Sequence, residues 1–143
     1  MARVGLLEDN ERISKLCATM LNYAGHDVII YVDASACLHA LSVPEPSWTS
    51  TLSRTAQDAP LPIDVLILDL HLPTLSGLDV LRLLRNDAHT RALPLIVCTA
   101  TTASEINLAL QIAPEAIVVP KPFKLQTLID ALAAALTGLE QQS

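Results

Sequence analysis

The sequence predicts a doubly wound α/β sandwich, and three observations carry that expectation. Short runs of β-branched and aliphatic residues alternate five times with longer stretches of helical period. Five strands alternating with five helices imply a mainly parallel sheet covered on both faces. The runs also end in polar residues, Glu8-Asp9-Asn10, Asp69, Thr99 and Lys121 among them. Right-handed crossovers then leave few topologies, and ligands of such sheets sit outside the carboxyl ends of the strands.

Each element has its own signal. Arg3 to Leu7 reads as a buried strand that stops at Glu8-Asp9-Asn10. Ile13, Leu16, Cys17, Met20, Leu21 and Ala24 then recur at helical spacing, and Gly25 follows as a stop. Val28 to Tyr31 reads as the second strand, and Asp33 can cap a short helix to about Leu41. Val65 to Leu68 is the third strand, closed by Asp69. After Pro73 and Gly77, the leucines at 78, 81, 83 and 84 mark the next helix. Leu95 to Cys98 is the fourth strand. A helix from about Ser104 to Ile112 follows, with Ser104 as its expected cap. Ala116 to Val119 is the fifth strand. Leu125, Leu128, Ile129, Leu132 and Leu136 make a last amphipathic helix that ends near Gly138. Ser42 to Pro62 breaks this rhythm: it is rich in Pro, Ser, Thr and Ala, holds the only tryptophan, Trp48, and reads as a long surface loop.

Composition narrows the class. A chain of 143 residues with 51% hydrophobic content suits one domain, 1–143, with a substantial core. That core must be aliphatic, because only Tyr23, Tyr31, Trp48 and Phe123 are aromatic. Nine basic residues against fifteen acidic ones give a formal charge of -6, which argues against direct nucleic-acid binding. Cys17, Cys37 and Cys98 show neither paired nor metal-ligand spacing and read as buried free thiols of a reducing compartment. No signal peptide is read at the start, and no apolar run approaches the roughly 18 residues that span a bilayer. A soluble, cytoplasmic protein is therefore expected.

The strand-end residues carry the chemistry. Glu8, Asp9 and Asp69 on adjacent strands would bring up to three negative charges together. Like charges that close raise one another's pKa or recruit a cation, and a hard cation such as Mg²⁺ takes carboxylate oxygens. Capping of the first helix by Glu8-Asp9-Asn10 is the plain alternative. A strand-end carboxylate such as Asp69 can accept a phosphoryl group as an acyl phosphate, a transfer that needs positioning and charge neutralisation above all. Lys121 offers a point positive charge, Thr99 a hydroxyl donor, and Ala100 keeps the neighbouring space small.

These residues resemble those of response-regulator receiver domains over nearly the whole chain. The matching pieces are Glu8-Asp9, then Asp69-Leu70-His71-Leu72-Pro73 running to Gly77, then Thr99-Ala100, then Lys121-Pro122-Phe123. Thirty residues separate Asp69 from Thr99 and twenty-two separate Thr99 from Lys121, as in the family. The resemblance implies a flavodoxin-like (βα)5 fold with strand order 2-1-3-4-5. It implies Asp69 as phosphoacceptor, charged by a histidine kinase or a histidine phosphotransfer protein. Asp9, Asp69 and the His71 backbone carbonyl would bind Mg²⁺, with Mn²⁺ as an alternative, and Glu8 would act through a metal-bound water. Thr99 and Lys121 would contact the phosphoryl group, and Lys121-Pro122 would be a cis peptide. Such a domain is a signalling switch rather than an enzyme, and it catalyses only its own phosphorylation and dephosphorylation.

The resemblance also implies a switch through Thr99, Ala100 and the position three before Lys121, which is usually aromatic. Here it is Val118, which has no ring to swing. The fourth helix, fifth strand and fifth helix would form the output face and a homodimer surface, toward an output partner the sequence does not name. His71 is a second departure: an imidazole beside the acceptor, expected with its ring in solvent and its carbonyl toward the metal. A haloacid-dehalogenase-like phosphatase would want an Asp where His71 stands. A flavodoxin-type electron carrier would want a phosphate loop where Glu8-Asp9-Asn10 stands. A binding module that is never phosphorylated would not need Asp69, Thr99 and Lys121 together.

Overall fold

A computed structural model describes residues 2–41, 61–72, 75–100, 102–121 and 123–141, with backbone alone for 138–141. Its elements are β1 (Arg3–Leu7), α1 (Glu11–Tyr23), β2 (Asp27–Tyr31), α2 (Ala34–Ala40), β3 (Val65–Leu68), α3 (Gly77–Asn86), β4 (Leu95–Thr99), α4 (Ala103–Ile112), β5 (Ile117–Pro120) and α5 (Leu125–Gln141). All strand pairings are parallel, and the sheet runs β2-β1-β3-β4-β5. The expected doubly wound fold and its strand order are both borne out. Of the loop expected at 42–62, residues 42–60, Trp48 among them, lie outside the described residues.

Side-chain parity along the strands divides the core into two layers. Val4 and Leu6 of β1, Val65 and Ile67 of β3, Ile96 and Cys98 of β4 and Val119 of β5 pack with Cys17 and Leu21 of α1 and Leu128 and Leu132 of α5. The alternate residues Leu7, Leu66, Leu68, Leu95 and Val97 pack with Leu38 of α2, Val80, Leu81 and Leu84 of α3 and Ala109 of α4. Helices on both faces explain why β1, β3 and β4 are buried almost throughout. Cys17, Cys37 and Cys98 are free and buried in these layers.

Helix ends follow local chemistry. The Asn10 side chain accepts from the Ile13 amide and caps α1, which leaves Glu8 and Asp9 out of the capping role. Gly25, at φ 99, lets the chain leave α1 in a left-handed turn. Asp33 caps α2 as expected. Thr102, not Ser104, caps α4: its hydroxyl faces the Glu105 amide, the Thr-x-x-Glu pattern of a capping box. In α1 the buried positions are Ser14, Cys17 and Leu21, whereas Leu16 is 60% exposed. The apolar stripe is therefore rotated from the one the hydrophobic residues alone suggested. The Thr90 hydroxyl, fully buried, donates to the Leu84 carbonyl at 2.6 Å and ties off the end of α3. Arg85 bonds the carbonyls of Thr90, Arg91 and Leu93 and pairs with Glu115.

Candidate functional site

Register brings the site together. Leu7 pairs with Tyr31 and with Leu68, Leu68 with Val97, and Thr99 with Pro120. The strands therefore end nearly level, and the residues that follow them emerge along one edge. Backbone bonds hold two of the exits: the Asp69 amide donates to the Leu7 carbonyl at 3.2 Å, and the Lys121 amide to the Thr99 carbonyl at 2.9 Å.

On that edge the carboxylate oxygens of Glu8, Asp9 and Asp69 lie within 4.8 Å of one another. Lys121 reaches in from the end of β5. Its Nζ donates to Glu8 Oε1 at 2.7 Å and to Asp69 Oδ2 at 3.0 Å. The Glu8 and Asp69 side chains are 5% and 11% exposed and that of Lys121 is 17% exposed, so the three charges interact with little water between them. Burial pushes the Glu8 carboxyl up, and the bond from Lys121 recovers only part of that rise. Burial also pulls the Lys121 ammonium down, but its bonds and charge attraction to Glu8 and Asp69 outweigh this and raise it. One lysine thus serves two carboxylates, and Asp9 stands exposed beside them. A donor set made only of carboxylate oxygens suits a hard divalent cation. The residues present fit Mg²⁺ or Mn²⁺ for that reason.

The loop after β3 is tightly built. The His71 amide donates to Asp69 Oδ1 at 3.1 Å, so both oxygens of Asp69 have a donor. The Gly77 amide donates to the Leu70 carbonyl at 2.9 Å. A Cβ at Gly77 would lie 2.4 Å from the Leu70 Cα and 2.5 Å from the Asp69 carbonyl oxygen, so the start of α3 sits directly on the acceptor loop. Thr99 is buried at the end of β4, while Ala100 is exposed. Val118 is half-buried and packs on the α2/α3/α4 face. The cavity under the carboxylates is closed by Leu6, Ile67, Cys17, Cys98 and Leu128. Beside Lys121 an apolar groove of about 380 Å³, lined by Leu16, Met20, Ala100 and Phe123, leaves the edge open to approach.

A family model for the response regulator receiver domain matches residues 4–133. The chain belongs to that family. The receiver is 27% identical over 141 residues to the DNA-binding response regulator MtrA of Mycolicibacterium smegmatis, which covers 98% of this chain and 53% of that protein. It is 31% identical over 137 residues to a probable transcriptional regulatory protein of Picosynechococcus sp., covering 94% of this chain and 49% of that one. The receiver thus spans about half the length of these curated relatives. The chemotaxis protein CheY4 of Vibrio cholerae has a similar fold, with TM-score 0.74 and 24% identity over 95% of this chain and 99% of that one. So has the receiver domain of a sensor histidine kinase of Pseudomonas aeruginosa, with TM-score 0.71 and 24% identity over 95% and 98% of the two chains. In that structure a magnesium ion is coordinated in the active-site cleft.

In the receiver, Glu8, Asp9, Asp69 and Lys121 meet at one point, and His71 adjoins them through its main chain. The Lys121-Pro122 peptide lies outside the described residues, because Pro122 does. The His71 ring is largely in solvent, and its Nε2 lies 3.2 Å from Glu105 Oε2 on α4. Glu105 is the residue that sequence reading passed over. Its signal was the Thr102-x-x-Glu105 capping pattern, which fixes where α4 starts and so where Glu105 sits. Among the described residues no helix is long and apolar enough to cross a membrane.

Proposed function

We propose that this receiver, read as one domain over 1–143, takes a phosphoryl group on Asp69 from a phosphohistidine of a histidine kinase or histidine phosphotransfer protein. A carboxylate oxygen of Asp69 attacks phosphorus, the P–N bond breaks, and the leaving imidazole nitrogen takes a proton from solvent. The observation that carries this reading is the shared ammonium: Lys121 lies 2.7 Å from Glu8 and 3.0 Å from Asp69 in a mostly buried acidic cluster. An added dianion would be repelled by these acids unless positive charge met it there. Lys121 can turn from the carboxylates to the new phosphoryl oxygens, and the Thr99 hydroxyl can donate to them. Asp9, Asp69 and the His71 carbonyl would hold Mg²⁺ or Mn²⁺ directly, and Glu8 through a water. Bound there, the ion supplies further charge neutralisation. Hydrolysis of the acyl phosphate by water returns the domain to its starting state.

The output is read the same way. Thr99 and Ala100 lead into α4, so a hydroxyl drawn toward the phosphoryl group would move the first turn of α4. Val118 has no ring to fill the space left behind, which puts the signal on the segment after Thr99. The face made by α4, β5 and α5 is the proposed output and homodimer surface, acting on a protein partner rather than on nucleic acid.

Incubation with acetyl phosphate and Mg²⁺, followed by intact mass, tests the reading. One labile phosphoryl adduct is expected in the parent protein and none in Asp69→Asn. An adduct that persists in Asp69→Asn would place the acceptor elsewhere. Mg²⁺ affinity should fall sharply in Asp9→Asn, and an unchanged dissociation constant would remove Asp9 from the ligand set.

A further inference from the structure

We propose that Glu105 is a positioning residue for the acceptor: from the first turn of α4 it holds the His71 ring, and through the His71 main chain it holds the carboxylate of Asp69. This rests on Asp69 being the phosphoacceptor. Three contacts make the chain. Glu105 Oε2 lies 3.2 Å from His71 Nε2. The His71 amide donates to Asp69 Oδ1 at 3.1 Å. The Thr102 hydroxyl faces the Glu105 amide at 3.5 Å, within the cap that fixes the start of α4. The far side of the same loop is pinned by the Gly77 amide on the Leu70 carbonyl.

The His71 side chain is 61% exposed, so packing alone holds it weakly. The Glu105 carboxylate oxygen 3.2 Å from its Nε2 is what orients it, and a neutral imidazole can donate there because one ring nitrogen can carry a proton. If the ring is released, residues 70–72 after Asp69 lose this tie to α4. The amide on Asp69 Oδ1 then spends less time in place. This amide and Lys121 both donate to the acceptor oxygens, so a change in one is felt directly at the reacting atom. The link also runs the other way. Anything that moves the first turn of α4 changes how firmly Asp69 is held, which ties output face to acceptor in a receiver that has Val118 where a ring would otherwise act.

Two readouts on the full chain test this. The first is hydrogen exchange at the His71 amide without phosphodonor. The second is the rate of acyl-phosphate formation from acetyl phosphate with Mg²⁺. Exposed pairs of this kind are weak, so Glu105→Ala is expected to speed exchange and slow labelling by about threefold each. Glu105→Gln, which keeps an acceptor oxygen, should recover most of both. In a His71→Ala background, Glu105→Ala should add nothing to the labelling defect. Urea unfolding of each variant separates this from loss of fold: the midpoint should stay near the parent value. Unchanged exchange in Glu105→Ala, or labelling losses that multiply in the double variant, would overturn the proposal. A parent protein that takes no phosphoryl group would instead overturn the acceptor reading, and amide exchange would still decide whether Glu105 holds the loop.

Discussion

Replacing Gly77 by alanine sets two known effects against each other. An alanine has fewer unfolded conformations than a glycine, and at a compatible site this stabilises by about 0.4–1 kcal/mol. Gly77 opens α3, and Gly25 is the glycine with positive φ, so backbone conformation does not forbid the change at 77. Space does. The added Cβ would lie 2.4 Å from the Leu70 Cα, 2.5 Å from the Asp69 carbonyl oxygen and 3.1 Å from the Leu70 carbonyl carbon. Carbon atoms rest at about 3.5–4.0 Å, so the loop must retreat by about 1 Å. The atoms struck are backbone and cannot turn away, which places the cost near the top of the roughly 1–3 kcal/mol seen for overpacking. The steric effect wins by about 2 kcal/mol. For a chain of 143 residues that is a fall in Tm of roughly 6–8 °C, read by circular dichroism. The same retreat carries Asp69 away from Lys121, now 3.0 Å away, so labelling by acetyl phosphate should slow by on the order of tenfold or more. A Tm equal to or above the parent's would show that the loop yields cheaply and that its close packing does not hold Asp69.

Three further outcomes follow from named contacts. Lys121→Met leaves Glu8 and Asp69 buried without their ammonium and should cost about 3–5 kcal/mol at pH 7. Because the Glu8 carboxyl is already raised above 4.5 by burial, the folded variant keeps a proton that the unfolded chain gives up; the deficit should grow as pH rises past that value, and equal urea deficits at pH 5 and pH 7 would contradict it. Thr90→Val removes the buried hydroxyl on the Leu84 carbonyl and should cost about 1–3 kcal/mol in urea unfolding, with Thr90→Ser close to the parent. Burial pushes the Cys37 thiol from 9.0 up to about 12, so between those values the unfolded state loses a proton that the folded state keeps, and stability should fall by up to about 1.4 kcal/mol per pH unit; Cys37→Ala should lessen that alkaline slope.

The fold was legible because each strand announces itself by its own residues. Val65 to Leu68 needs no knowledge of its neighbours to read as a buried strand, and the polar residue that ends it marks the sheet edge. The acidic cluster was legible for the same reason, since Glu8, Asp9, Asp69 and Lys121 each stand just past a strand and parallel pairing does the rest. What was not legible depends on contacts between elements. Leu16 fits the helical period of α1 yet lies at the stripe's edge, while Ser14 is buried by bonding the Glu11 carbonyl. The last helix passes through Gly138 to Gln141, because a glycine in a helix costs only about 1 kcal/mol and the flanking residues favour helix. Glu105 could be placed on α4 from sequence, but its approach to His71 depends on how far α4 lies from the loop after β3.

The size of these contacts bounds what the switch can do alone. Moving a two-state equilibrium from 1:99 to 99:1 takes about 5.5 kcal/mol of differential interaction. A hydrogen bond from the Thr99 hydroxyl to a phosphoryl oxygen would supply about 1.5–3 kcal/mol. The His71–Glu105 contact, at 61% and 38% side-chain exposure, supplies at most about 1 kcal/mol. Val118 adds no aromatic burial to this. These contacts of α4 alone fall short of a complete transition, so phosphorylation of Asp69 in the isolated receiver should shift α4 only part of the way. A partner bound on the α4, β5 and α5 face would have to provide the remainder. By linkage that partner must bind the phosphorylated receiver more tightly by the same factor by which it stabilises the acyl phosphate against reversal to the donor. Titrating a candidate partner against acyl-phosphate yield at fixed donor concentration measures that factor directly. A yield that does not change while binding saturates would mean that the partner does not read Asp69 through this face.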